Sequence, residues 1–139
     1  MTPLFGTRYF NTGQLLVEQI NSNLIAPCGM NCALCQAHLR GKHPCIGCRN
    51  ITSEAPKTIL LCVMRTCTQR EDDFCYACAD YPCDRLKHMD QRYRGKYNMS
   101  EIENLEYIRM HGMDQFLDQQ RKQWQSDLGI LCVHDKRYY

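Results

Sequence analysis

Ala26-Pro27-Cys28-Gly29-Met30-Asn31-Cys32-Ala33-Leu34-Cys35 sets three cysteines in the pattern C-x3-C-x2-C. Cys45-Ile46-Gly47-Cys48 follows as C-x2-C, then Cys62 and Cys67 as C-x4-C, then Cys75, Cys78 and Cys83 as C-x2-C-x4-C. Ten of the eleven cysteines in this 139-residue chain therefore lie between residues 28 and 83. Two cysteines separated by two residues both reach one tetrahedral ion, because the turn between them aims both sulfurs inward, about 2.3 Å from zinc. Gly47 suits the sharp turn that such a knuckle needs. One C-x2-C is a weak sign of metal; three within a few dozen residues are a strong one.

Disulfides are the competing use of so many cysteines. The chain starts Met1-Thr2-Pro3-Leu4-Phe5-Gly6 with no charged region leading into an apolar stretch, so no export signal is expected. The expected compartment is the reducing cytoplasm, where thiols persist. The odd cysteine number and the close pairs also favour metal. The longest apolar run, Ile59 to Met64, is too short to cross a bilayer, so no membrane partner is expected.

The formal charge of +2 counts every thiol as neutral. Eight thiolates on two zinc ions would bring it to about −2. Net charge therefore lends no support to nucleic-acid binding.

Leu, Ile, Val and Phe are sparse before residue 99, so the cysteine segment has little to bury. Ordering each residue costs about 1–2 kcal/mol of backbone entropy. A structural zinc site offsets this with about 10–16 kcal/mol of binding energy. The expected fold is small, metal-stabilised and α-rich, with irregular cysteine-knuckle loops and little or no β-sheet.

Four zones are expected: a lead-in at 1–26, a cysteine-rich metal-binding core at 27–98, a helical hairpin at 99–124 and a tail at 125–139. In the lead-in, Leu15, Leu16, Gln19 and Ile20 suggest a short amphipathic helix. Another short helix is expected after Cys32, through His38. Residues 56–66 lean towards helix over a buried strand. From Cys83 to about Arg94, Leu86, Met89, Tyr93 and Tyr97 follow one helical face, and Gly95 marks the expected end. Ser100 with Glu103 forms a capping box ahead of the stripe Ile102, Leu105 and Ile108. Gly112 ends that helix. Met113, Phe116, Leu117 and Trp124 mark another, with Gln120 a flaw in its stripe.

The expected metal ligands are Cys28, Cys32, Cys35, Cys45, Cys48, Cys62, Cys67, Cys75, Cys78 and Cys83, holding two or more Zn2+ ions. Spacing alone leaves their pairing open. The most local pairing joins Cys32 and Cys35 with Cys45 and Cys48, and Cys67 with Cys75, Cys78 and Cys83. Cys28 and Cys62 then remain as alternative ligands or sharers of a third ion. His38 and His43 are alternative donors at the first site, although an exposed or hydrogen-bonded side chain is the plainer reading of each. An iron–sulfur cluster is the alternative cofactor, since four thiolates suit either. The C-x3-C-x2-C triplet also matches the cluster motif of radical S-adenosylmethionine enzymes. Those need a large barrel of alternating strands and helices, which this chain lacks the length and pattern to build.

With these residues collected, the chain resembles a bacterial and archaeal family of cysteine-rich proteins of unknown function with predicted zinc binding. The matching pieces are Ala26 to Cys35, Cys45-Ile46-Gly47-Cys48, Cys62-Val63-Met64-Arg65-Thr66-Cys67 and Phe74-Cys75-Tyr76-Ala77-Cys78-Ala79-Asp80-Tyr81-Pro82-Cys83. The resemblance continues through Arg92 to Tyr97 and the helix at Ser100, covering residues 24–134. It implies metal binding by these cysteines and no known reaction. Longer members close with a small zinc ribbon. Here Ser126, Leu128 and Tyr138 stand near where thiolates would fall, so the tail reads as a ribbon that has lost its ligands. Cys132 and His134 alone cannot complete a tetrahedral site, and Cys132 is expected to be a small buried residue.

No catalytic residues are identified: there are no paired carboxylates, no phosphate loop and no nucleophile signature. Two roles are expected in competition. One is a structural zinc module that presents a surface to a protein or nucleic acid. The other is an iron–sulfur or thiol-redox protein, alone or as an enzyme subunit, motivated by the surplus cysteines. The candidate surface is Arg85, Lys87, Arg92, Arg94 and Lys96, interleaved with Tyr93 and Tyr97. A solvated helix face with its tyrosines packed inward is the plainer reading.

Overall fold

The three longer helices lie C-terminal to the cysteine segment, where periodic apolar residues replace Gly, Pro and Cys. A computed structural model of the chain describes residues 7–9, 15–50, 60, 62, 64–67 and 73–139. Its elements are β1 (Thr7–Tyr9), β2 (Leu15–Val17), α1 (Gln36–Leu39), α2 (Asp84–Tyr97), α3 (Glu101–His111), α4 (Met113–Trp124), β3 (Gln125–Ser126) and β4 (Gly129–Ile130). Single 3₁₀ turns occur at Ser22–Leu24, Cys32–Leu34, Cys48–Asn50 and Cys75–Ala77. The fold is helix-rich, with irregular cysteine loops and two minimal antiparallel ribbons, β1–β2 and β3–β4. The helix expected over 56–66 lies largely outside the described residues.

The amphipathic helix expected around Leu15 is not formed. Leu15–Val17 is a strand paired antiparallel with β1, Tyr9 opposite Leu15 and Thr7 opposite Val17. Three consecutive apolar residues make a poor helical stripe but fit a short paired strand.

α2 begins at Asp84, as expected, but passes through Gly95 without ending. It stops where Asn98 turns left-handed at φ 53° and its N–H bonds the Tyr93 carbonyl. Glycine inside a helix costs only about 1 kcal/mol, whereas reversing the chain needs a residue that tolerates positive φ. Ser100 caps α3, its hydroxyl accepting the Glu103 N–H at 3.0 Å. The reciprocal half of the capping box is replaced: Glu103 turns to Arg94 instead, at 3.1 Å. Gly112, at φ 86°, divides α3 from α4.

One core joins all parts. Ile20 and Ile25 of the lead-in and Met30, Leu34 and Met64 of the cysteine segment are buried with Leu86 of α2, Leu105 of α3, Phe116 of α4 and Ile130 and Val133 of the tail. The cysteine segment therefore contributes more to the oily interior than its composition suggests. Gln120, a break in the α4 stripe, is buried because its side-chain oxygen accepts from Asn31 Nδ2 at 3.0 Å. The tail docks through the Val133 N–H on the Leu34 carbonyl at 3.0 Å and closes with a Leu131–Tyr138 bridge.

Candidate metal centre

Cys67, Cys75, Cys78 and Cys83 line one cavity of about 390 Å³. Three local structures deliver them. Cys67 follows the turn at 64–66, in which the Thr66 N–H bonds the Cys62 carbonyl at 3.0 Å. Cys75 opens a 3₁₀ turn and Cys78 closes it, its N–H on the Cys75 carbonyl at 3.0 Å. Cys83 stands at the N-cap of α2. Met64 and Leu86 form the apolar wall of the cavity, while Asp80, Asp84 and Arg85 also line it. The Tyr81 hydroxyl, hydrogen-bonded to Glu106 at 2.6 Å, ties this loop to α3. Burial, with the Glu106 bond second, pushes the Tyr81 phenol far above its ordinary range, so it stays protonated.

A second group gathers Cys28, Cys32, Cys35, Cys45 and Cys48. The Cys45 N–H bonds the Ala37 carbonyl at 2.8 Å, and His38 Nδ1 bonds the Cys45 carbonyl at 2.5 Å. These bonds lay the Cys45–Cys48 loop along α1. They also use the His38 ring, in line with its plainer reading. Gly47 adopts φ 94° with its Cα against Leu24, and a Cβ there would stand 2.8 Å from the leucine methyl. Asn31 holds the Cys32 turn by accepting the Ala33 N–H at 3.1 Å.

Backbone N–H groups point at the sulfurs. Met30 donates to Cys28, Ala37 and His38 donate to Cys35, and Cys48 donates to Cys32. Such bonds favour the anionic sulfur that binds metal. Burial outweighs them at Cys28 and Cys35, pushing both thiols up. Cys32 and Cys48 share a hydrogen bond, which raises the Cys32 thiol and lowers that of Cys48; Arg65 and Arg49 add to the lowering. Cys48 is thus the first of the pair to ionise.

Arg49 joins the two groups. Its guanidinium donates to the Ile25 carbonyl at 2.6 Å and the Asp73 carbonyl at 3.1 Å, and lies over the Phe74 ring. The Cys75 N–H adds a bond to the Pro27 carbonyl at 2.9 Å. Cys62 is half-buried and does not line the cavity, and His43 contributes its carbonyl to Arg40. None of the eleven cysteines forms a disulfide. Among the described residues no three Cys, His, Asp or Glu side chains already converge closely enough to hold an ion. The donor chemistry nevertheless fits a thiolate metal: soft sulfurs grouped on short turns, several accepting backbone N–H groups.

Residues 24–88 match a protein family of unknown function, DUF3795. That span holds all ten clustered cysteines and the start of α2, just under half of the chain. The rest of α2, α3, α4 and the tail lie beyond it, so the similarity is narrower than the 24–134 expected. No curated protein and no solved structure matches the chain. No described helix is long and apolar enough to cross a membrane.

On α2 Arg85, Lys87, Arg92 and Lys96 are exposed, Lys87 on the opposite side of the helix from the other three. Arg94 is taken by Asp90 at 2.6 Å and Glu103 at 3.1 Å. Tyr93 and Tyr97 are half-buried against the His134 ring rather than interleaved with the cations. Sequence reading missed Asn31 and Glu101 beside the cysteines, and weighed His134 only as a metal ligand. Only Glu101 left a readable sign, since it shares the i, i+4, i+7 face of Leu105 and Ile108.

Proposed function

We propose that this chain is a zinc-binding structural module. Its second centre is held by Cys67, Cys75, Cys78 and Cys83, and its first by thiolates drawn from Cys28, Cys32, Cys35, Cys45 and Cys48. The supporting observation is that four cysteines from three separate turns line one cavity. A four-thiolate site has no open position, so zinc there would link turns and catalyse nothing. The exposed Arg85, Arg92 and Lys96, which helical spacing sets on one side of α2, would then form a cationic face for an acidic protein or nucleic-acid partner.

Elemental analysis of anaerobically purified chain tests this. Two zinc ions per colourless chain are expected. Cys78→Ser and Cys83→Ser should each lose one ion, while Cys132→Ser keeps both. Brown protein with acid-labile sulfide would replace zinc by an iron–sulfur cluster, and metal-free folded protein would end the reading.

A further inference from the structure

Glu101 occupies the first position of α3 and is fully buried, 0% exposed. Neither carboxylate oxygen has a hydrogen-bond partner. A buried carboxylate without a partner is strongly disfavoured, and a neutral carboxyl there still leaves its polar atoms unsatisfied. Its position on the apolar face of α3 would suit leucine better, as at Leu105 and Ile108.

The surroundings are acidic. α3 presses its first turn on the Cys28 loop: Gly29, at φ 91°, leaves no room for a Cβ between itself and the Glu101 carbonyl. Asn104 clamps the same loop by donating to the Gly29 carbonyl at 2.9 Å. The charges felt by the buried Cys28 sulfur come from Cys48, Glu101 and Cys75, all acidic. Cys48 is in turn hydrogen-bonded to Cys32. Several potential anions thus face one another in the interior. Arg92 and Arg94 act on Glu101 only from outside, both being exposed.

A divalent cation relieves both problems. We infer that Glu101 supplies an oxygen ligand to zinc beside Cys28, Cys32 and Cys48, making the first centre a mixed thiolate–carboxylate site. This rests on the zinc reading above and names the donor set of its first centre. A carboxylate is a harder ligand than a thiolate, so the two centres differ in kind.

Cadmium-113 is the probe. Full chain loaded anaerobically with this isotope should give one resonance in the all-sulfur range and one displaced upfield by oxygen. Glu101→Gln should shift or abolish the upfield signal and weaken that site at least about tenfold in chelator competition, the loss expected even for an outer partner. The all-sulfur signal should not move. Two all-sulfur resonances in the unmutated chain overturn the Glu101 assignment and leave the zinc reading intact. No bound cadmium overturns both. The unmutated spectrum decides the matter even if the variant misfolds.

Discussion

Asp90 accepts three hydrogen bonds: from the Ser100 hydroxyl at 2.6 Å, the Ile102 N–H at 3.0 Å and Arg94 Nε at 2.6 Å. Burial pushes its carboxyl up, but the Ser100, Ile102 and Arg94 contacts outweigh it and hold the group below the usual carboxylate range. Asp90→Ala leaves the Ser100 hydroxyl and Ile102 N–H without their acceptor, at a cost of about 3 kcal/mol. Urea unfolding should show that loss. The gap should stay constant between pH 6 and 8, because a lowered carboxyl is fully ionised throughout that range. None of this is readable at Asp90 itself, which sits among polar residues of an exposed-looking helix. The cysteines are legible for the opposite reason. Ligand spacing is a local property, and a turn of two residues fixes where two sulfurs point. Glu101 falls between: its helical register marks it as inward-facing, but only the fold shows that nothing inside satisfies it.

At the scale of elements, stripes and caps are legible and boundaries less so. Leu86, Leu105, Ile108, Phe116 and Trp124 are buried as their periodicity requires. The end of α2 at Asn98 instead of Gly95 depends on a backbone reversal that composition marks at both places. The tail is the least local element, since its docking residue His134 contacts α1 and α2. The Gln36 N–H donates to His134 Nδ1 at 3.1 Å, so the ring proton lies on Nε2 and points to the Tyr93 hydroxyl at 3.0 Å. Burial lowers the His134 pKa, with Lys136 assisting and Asp135 opposing. A depressed histidine contributes stability that is complete above its unfolded value near about 6.5 and is lost as pH falls through the folded one. Proton NMR titration should therefore give His134 a midpoint below that of an ordinary histidine. Below that midpoint the Gln36 amide should lose hydrogen-exchange protection. His134→Ala should cost about 1 kcal/mol and abolish the acid-side loss of Gln36 protection, leaving that amide weakly protected on both sides of the wild-type midpoint.

For the whole molecule, the question is how far the apolar core can stand without cations. Met30, Leu34 and Met64 reach into the same interior as Phe116 and Leu105, so the cysteine segment is not wholly dependent on metal. Among the bonds that tie its loops together are the Cys75 N–H on Pro27, the Cys45 N–H on Ala37, and Arg49 on Ile25 and Asp73. Zinc at each proposed centre would supply about 10–16 kcal/mol, as much as the entire net stability of an ordinary domain, about 5–15 kcal/mol. Core packing among α2, α3 and α4 is local and survives longer, because consecutive helices touch directly. Chelation of the zinc-loaded chain under reducing conditions should therefore melt it in two parts. The Cys45 and Cys75 amides should exchange first, while the amides of α4 around Phe116 and Gln120 retain protection. A single cooperative loss at all these amides would place the helices under the same metal control as the loops. Undiminished protection at Cys45 and Cys75 after complete chelation would show that hydrogen bonds and oil suffice, and that the sulfurs serve something other than the fold.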